Sequence, residues 1–332
     1  MTLARAIQGS NSIEGYNVTI DDAMAAAGNA EPLEAHGETW SALVGYRNAM
    51  TYVLQLSDDP HFSFSRGLIR SLHFMMQQYD FTKNPGKWRP GPIFVRNEQT
   101  GERVYEGPDA SAVNELSREL VSYLNSPPAD AHPLVVAAMS HLNLVVIHPF
   151  SDGNGRMSRI LQTLVLVRSG ILAREFCSIE EYLGRNRQSY YDVLGVVGAG
   201  SWHPERDARP WVRYCLTAHF RQASTLVRRA RVLHRLWDAL EHEVQTRGLP
   251  ERAIAVLSEA ALGLKVRNAT YRTSADISEN LASRDLKLLT DRGLLVPAGE
   301  KRGRYYVYSD TLRAIGLAAA SGEPRGIADP FV

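Results

Sequence analysis

Apolar residues recur every three or four positions along most of this chain, and only an α-helix gathers such positions onto one face. Residues 38–56 place Trp40, Leu43, Val44, Met50, Val53 and Leu54 in that rhythm. Residues 64–79 and 109–126 repeat it, and 132–147 are apolar on nearly every side, as a central helix requires. The rhythm fails in one long segment, "NPGKWRPGPIFVRNEQTGERVYEGP" at 84–108, which is dense in proline and glycine. There Ile93 to Val95 and Arg103 to Tyr105 flank a polar turn, so a short β-hairpin is expected among helices. Further helices are expected over 156–170, closed by Gly170, over 179–197, and from Trp211 to about Gly248. The fold class is mainly α.

Bulk properties narrow the function. The formal charge is only +1, so no global field draws nucleic acid or an anionic membrane, although local patches remain open. The 44% apolar fraction is that of an ordinary globular chain long enough for two domains. Cys177 and Cys215 lack metal or redox spacing and read as buried, reduced thiols. The N-terminus lacks the apolar core of a signal peptide, and no run approaches the roughly 18 apolar residues of a membrane span. A cytoplasmic location and no membrane partner are expected.

The segment "HPFSDGNGRMSR", residues 148–159, crowds a histidine, a carboxylate and two arginines around a glycine-rich turn. Gly153, Asn154 and Gly155 enter a helix, where successive outward N–H groups attract phosphate oxygens. Arg156 and Arg159 are three apart on that helix and can grip several such oxygens from one face. Asp152 offers a hard oxygen ligand of the kind Mg²⁺ takes alongside substrate phosphates. His148 titrates near neutrality and can take a proton from an attacking hydroxyl. Phe150 is the apolar exception and is expected to anchor the loop. Taken singly, each of these residues has an ordinary structural reading. Together they are an inventory for in-line transfer of a phosphoryl or nucleotidyl group to an alcohol.

This segment resembles, without a gap, the signature HPFx[D/E]GNGRxxR of Fic-domain proteins, and the resemblance extends over roughly residues 87–197. It implies a Fic-type helical bundle with a hairpin flap, and transfer of AMP from ATP to a hydroxyl of a target protein with Mg²⁺ and release of pyrophosphate. His148 would be the general base and Asp152 the metal ligand. Gly153, Asn154, Gly155 and Arg156 would hold the α- and β-phosphates, and Arg159 the γ-phosphate. The flap would register the target's backbone by strand addition, with Arg103, Val104 and Tyr105 against the nucleotide. Tyr190 and Tyr191 match aromatics near adenine and ribose. Gly198 is a departure, standing where many relatives place asparagine. "SNSIEG", Ser10 to Gly15, resembles the family's inhibitory pattern [ST]xxxE[GN], with Glu14 expected to occupy Arg159.

Four regions follow: 1–86 with the inhibitory motif, 87–200 as the core, a helical connector at 201–248, and 249–320. The last carries "RDLKLLTDRGLLVPAGEKRGRYYVYS", which looks like the second half of a winged helix, an α+β module. Arg284, Lys287, Lys301, Arg302 and Arg304 could touch a phosphate backbone, with Asp285, Asp291 and Glu300 diluting their field. Such modules also dock proteins or pair as homodimers. Two functions therefore stand: a self-inhibited protein adenylyltransferase, or a DNA-binding regulator whose nucleotide site senses ligand. Within the enzyme class, a different nucleotide donor or removal of AMP remains open.

Overall fold

The computed structural model describes residues 1–96, 100–171, 179–300, 303–323, 326 and 330–331. Cys177, Lys301 and Arg302 lie outside them. The chain divides into two compact units within one long helix, the first built on Met1–Gln222 and the second beginning at Ala223. Among the described residues no helix is long and apolar enough to cross a membrane.

The first unit is a helical bundle: α1 (Thr2–Ile13), α2 (Ile20–Ala27), α3 (Gly37–Gln55), α4 (Arg66–Gln77), α5 (Val113–Asn125), α6 (Pro133–Ile147), α7 (Asn154–Arg168), α8 (Glu180–Arg185), α9 (Arg187–Gly198) and the start of α10 (Arg209–Thr246). Local chemistry sets several starts. Ser65 caps α4 by accepting from the Leu68 amide, and Pro133 opens α6 at the first turn, where no N–H is needed. The apolar α6 packs on α7, which is buried along nearly its whole length. Polar residues that α7 carries inward are bonded, as burial demands: Thr163 donates to Glu180 at 2.8 Å, and Ser158 to the Gly155 carbonyl at 2.8 Å. The core joins α3, α4, α6 and α7 through Tyr46, Met50, Leu72, Leu144, Phe150 and Ile160.

The region 179–197 is two helices, parted at Asn186, where φ −121° and ψ 38° leave the helical range. The short α8 lies against α1 so closely that glycines are required on both sides. A Cβ on Gly9 would strike the Glu180 carbonyl, and one on Gly184 would fall 2.7 Å from Gly9 Cα. The hairpin forms as β1 (Phe94–Arg96) and β2 (Arg103–Glu106), antiparallel with Val95 opposite Tyr105. A third strand absent from the periodicity, β3 (Gly200–Ser201), runs parallel to β2 and covers its Tyr105–Glu106 end. Cys215 is buried beside Trp211, whose indole donates to the Ala138 carbonyl at 2.7 Å.

The second unit orders α11 (Ala253–Ala261), α12 (Asn268–Ala275), α13 (Glu279–Asp291), the antiparallel pair β4 (Leu295–Ala298) and β5 (Tyr305–Tyr308), and α14 (Asp310–Ala320). Val266 and Tyr306 exchange both main-chain hydrogen bonds, adding a third chain segment to the hairpin. The turn between α12 and α13 passes through Asp276 at φ +49°, and Ser278 caps α13. Inside, Arg252 holds Asp285 in a two-pronged pair at 2.7 and 3.0 Å, and Tyr271 donates to the same carboxylate.

Candidate active site

The α6–α7 loop is held by its own side chains and by α4. Asn154 closes it: Oδ1 accepts the Phe150 amide at 2.9 Å and Nδ2 donates to the Phe150 carbonyl at 2.8 Å. The Asn154 side chain is therefore spent on the loop, and what it offers a ligand is its main-chain N–H. Phe150 is fully buried and stacks on the His73 imidazole at 3.7 Å between centroids. His73 accepts the Gly86 amide at Nδ1 and donates from Nε2 to the Asp152 carbonyl, so it sits neutral, its pKa pulled down to about 4 by burial. Gln77 donates to Asp152 Oδ2 at 3.1 Å and accepts from Arg156 at 2.9 Å. The turn needs Gly153 at φ +75°, and a Cβ there would press on Met76.

His148 ends α6 at φ +52°, a region in which non-glycine residues are uncommon. Its Nδ1 lies 2.9 Å from the Val145 carbonyl. A carbonyl can only accept, so the proton sits on Nδ1 and the lone pair on Nε2. Burial lowers its pKa, helped by the nearby Arg89 charge, against the opposing Val145 bond. The neutral form is thus favoured, and with it an open base.

Arg156 and Arg159, in the first two turns of α7, are buried, each 1% exposed. Arg159 donates from Nε to Ser10 Oγ at 2.7 Å, from one Nη to the Ser10 carbonyl at 3.0 Å, and from that same Nη to Glu14 Oε1 at 2.6 Å. Burial is the largest influence on the Arg159 pKa and pulls it down, but the Glu14 carboxylate together with Tyr190 and Tyr46 outweighs it and the net shift is upward. That carboxylate also lies over Gly155, where a Cβ would collide with it. Glu14 therefore sits at the positive end of α7. It is the C-cap of α1, whose chain then turns through Gly15 at φ +86°. Among the described residues Arg156 donates to neutral acceptors only, Gln77 and, at 3.5 Å, the Tyr79 hydroxyl, with the Tyr16 ring 5.3 Å away, and its buried Nε has no hydrogen-bond partner.

The two tyrosines of α9 meet this machinery from the other side. Tyr190 is buried, with Arg159 Nη1 donating to its hydroxyl at 3.5 Å. Its pKa is raised by burial, so it keeps its proton and donates it to His141 Nε2 at 3.0 Å. His141 in turn donates from Nδ1 to Gln162 at 2.6 Å, and Gln162 to His219 at 3.3 Å. Tyr191, 39% exposed, donates to the Ile13 carbonyl at 3.0 Å, fixing the end of α1. His141, Gln162 and His219 carry no sequence signal, because the relay's members are spread from 141 to 219.

The hairpin residues are divided. Val104 is 44% exposed, and Arg103 lies over the Phe94 ring and pairs with Glu106 at 3.4 Å. Tyr105 turns inward, donates to the Val146 carbonyl at 2.7 Å and borders a small cavity with Asn143, Gly198, Trp202, His203 and Arg206. A Cβ on Gly198 would lie 3.3 Å from the Tyr105 ring, so the ring takes space that a side chain at 198 would need.

As for cofactors, the buried orphan Nε of Arg156 and the Glu14 carboxylate on Arg159 mark an anion cradle suited to polyphosphate. Asp152, its side chain 37% exposed and 3.6 Å from Lys83, is a lone carboxylate; among the described residues no cluster of three metal-binding side chains occurs. That donor set fits a cation that draws its other ligands from phosphates and water, as Mg²⁺ does.

The chain matches the Fic/DOC family model over residues 63–166. It is 37% identical over 134 residues to the protein adenylyltransferase Fic of Aedes aegypti, a match covering 39% of this chain and 22% of that protein. With the protein adenylyltransferase Fic of Nematostella vectensis it shares 27% identity over 219 residues, 62% of this chain and 44% of the other. The chain thus spans less than half the length of these curated relatives. The crystal structure of a Fic family protein from Desulfovibrio desulfuricans superposes with a TM-score of 0.57 at 21% identity, covering 93% of this chain and 86% of that one.

Proposed function

We propose that the chain is a self-inhibited protein adenylyltransferase that moves AMP from ATP to a Ser, Thr or Tyr hydroxyl of a target protein. The observation that carries this reading is His148, its Nδ1 tied to Val145 and its Nε2 open, beside a helix N-terminus backed by two buried arginines. The target oxygen attacks the α-phosphorus while its proton passes to His148 Nε2. The bond from that phosphorus to the bridging oxygen breaks, and pyrophosphate leaves in line. The main-chain amides of Gly153, Asn154 and Gly155, with Arg156, receive the charge of the α- and β-phosphates, and Arg159 that of the γ-phosphate. Asp152 would hold Mg²⁺, which supplies charge neutralisation on the phosphates. Arg103 and Val104 would contact the nucleotide from the flap, Tyr105 and Tyr191 would wall the nucleoside, and Tyr190 would orient Arg159.

Glu14 supports self-inhibition, because its carboxylate takes the guanidinium edge that a γ-phosphate needs. Intact-mass analysis tests the reading. Glu14→Gly incubated with ATP and Mg²⁺ is expected to gain one AMP per modified hydroxyl, on itself or on an added target, and Glu14→Gly/His148→Ala is expected to gain none. No adduct in either, with every nucleoside triphosphate and a cell extract as target source, would sink the proposal.

A second reading attaches to the second unit. The α12–turn–α13 arrangement followed by a hairpin supports a winged helix, and α13 exposes Asn280, Ser283, Arg284 and Lys287 along one face. We read this face as a contact for duplex DNA. Retardation of duplex DNA by the full chain, lost in Arg284→Ala or at raised salt, is the expected result. Absence of retardation at low salt would leave protein docking or pairing of two copies.

A further inference from the structure

The structure assigns to Arg89 a positioning role: it fixes His148 and both feet of the flap as one unit. This rests on the adenylyltransferase reading for its meaning in catalysis, though not for its geometry. Arg89 follows the stretch "NPGKW" and is only 4% exposed. Its amide donates to the Pro149 carbonyl at 2.9 Å. Its guanidinium donates to main-chain carbonyls in separate segments: Nε to His148 at 2.9 Å, Nη1 to Gly91 at 2.6 Å and Nη2 to Pro108 at 2.5 Å.

These acceptors have different jobs. Gly91 leads into β1, Pro108 leads out of β2, and His148 is the base. The feet of the hairpin are already drawn together by the Gly107 amide on the Ile93 carbonyl at 3.2 Å. A Cβ on Gly107 would lie 3.4 Å from Arg89 Nη2 and 3.7 Å from His148 Cβ, so foot, clamp and base lie side by side with no room for a side chain between them. His148 holds a left-handed backbone that is uncommon outside glycine, and the bond from Arg89 to its carbonyl opposes relaxation of that turn.

A buried cation is an expensive way to fill a core, and among the described residues Arg89 forms no ion pair with a carboxylate. Packing alone would be met by a neutral side chain. What a guanidinium adds is a rigid planar fork whose donors reach several carbonyls at fixed angles. Lysine, with a point charge on a flexible stem, can satisfy one or two of these carbonyls but cannot fix all three directions. The distance between the flap, where a target backbone registers, and Nε2, where its proton goes, is thereby set by one side chain.

The experiment compares Arg89→Lys and Arg89→Met in the Glu14→Gly background. Transfer kcat is expected to fall about tenfold in Arg89→Lys and up to about a hundredfold in Arg89→Met, as an ångström of misplacement does. KM for ATP should stay within about twofold, because the cradle at 153–159 is untouched, while KM for the target protein rises. Hydrogen exchange gives a readout that needs no activity. Amides of β1, β2 and residues 148–152 should exchange faster together, with those of Ile160–Val167 in α7 unchanged. Hairpin and loop that do not loosen together would overturn the inference, as would a kcat loss matched by equal loss of ATP affinity and faster exchange throughout. Should Glu14→Gly itself transfer nothing, the functional reading fails, and the exchange pattern still decides the role of Arg89.

Discussion

The two flanks of the signature loop are built from opposite materials. On the α4 side the uncharged side chains of His73 and Gln77 hold it, His73 on the Asp152 carbonyl and the Phe150 ring and Gln77 between the Asp152 carboxylate and Arg156. On the α1 side Ser10 and Glu14 meet Arg159, and the key bond is an ion pair to a carboxylate 28% exposed. An uncharged side chain held between its partners offers an incoming anion nothing to displace, whereas a carboxylate on a guanidinium can be replaced by any better-placed anion. One flank is scaffold; the other is an occupant.

The ceiling on any activity is set by neither flank. His148→Ala in the Glu14→Gly background is expected to lower the transfer rate by about 10²–10⁴-fold, the usual weight of a general base, measured as initial AMP incorporation. Next comes the scaffold. His73→Ala strands the Gly86 amide and the Asp152 carbonyl and unstacks Phe150, so urea unfolding should show a loss of about 3 kcal/mol. No nucleotide should restore it selectively.

Glu14→Gly is the contrasting case. Removing the carboxylate should cost about 2 kcal/mol, since Arg159 keeps its Ser10 bonds, and ATP or pyrophosphate should recover that stability more fully than in wild type. Equal ligand stabilisation of the His73 and Glu14 variants would erase the distinction between the flanks.

Acid probes the neutral side most gently. His73 and His141 are pushed by burial to about 4 and about 3, below the ordinary histidine value of roughly 6.5. Between those values the unfolded chain binds protons that the folded chain refuses, so their contribution is complete above the unfolded value and shrinks as pH falls. The expected slope is at most about 1.4 kcal/mol per pH unit for each histidine below pH 6.5, read from thermal unfolding, and His141→Gln should remove its share.

Sequence reading recovered what lies close along the chain. His148, Asp152, Gly153, Arg156 and Arg159 are neighbours in a twelve-residue segment, so their convergence needed no tertiary information. The expected hairpin falls within one residue of β1 and β2 because proline and glycine interrupt the helical period there. Arg89 was missed, although its isolation amid proline and glycine hints at a structural duty for its charge. β3 is two residues long and leaves no periodicity, and the break at Asn186 follows from how α8 meets α1, which no local pattern encodes. Glu14 and Ser10 were found only through resemblance, since 145 positions separate Glu14 from the arginine it meets.

The glycine seam between α1 and α8 has a mechanical corollary. Two backbones in direct touch, Gly9 on Gly184, leave no slack in which the segment carrying Glu14 could loosen by degrees. A single methyl group introduced at position 9 would work as a wedge, prising the far end away from Arg159 without altering any charge.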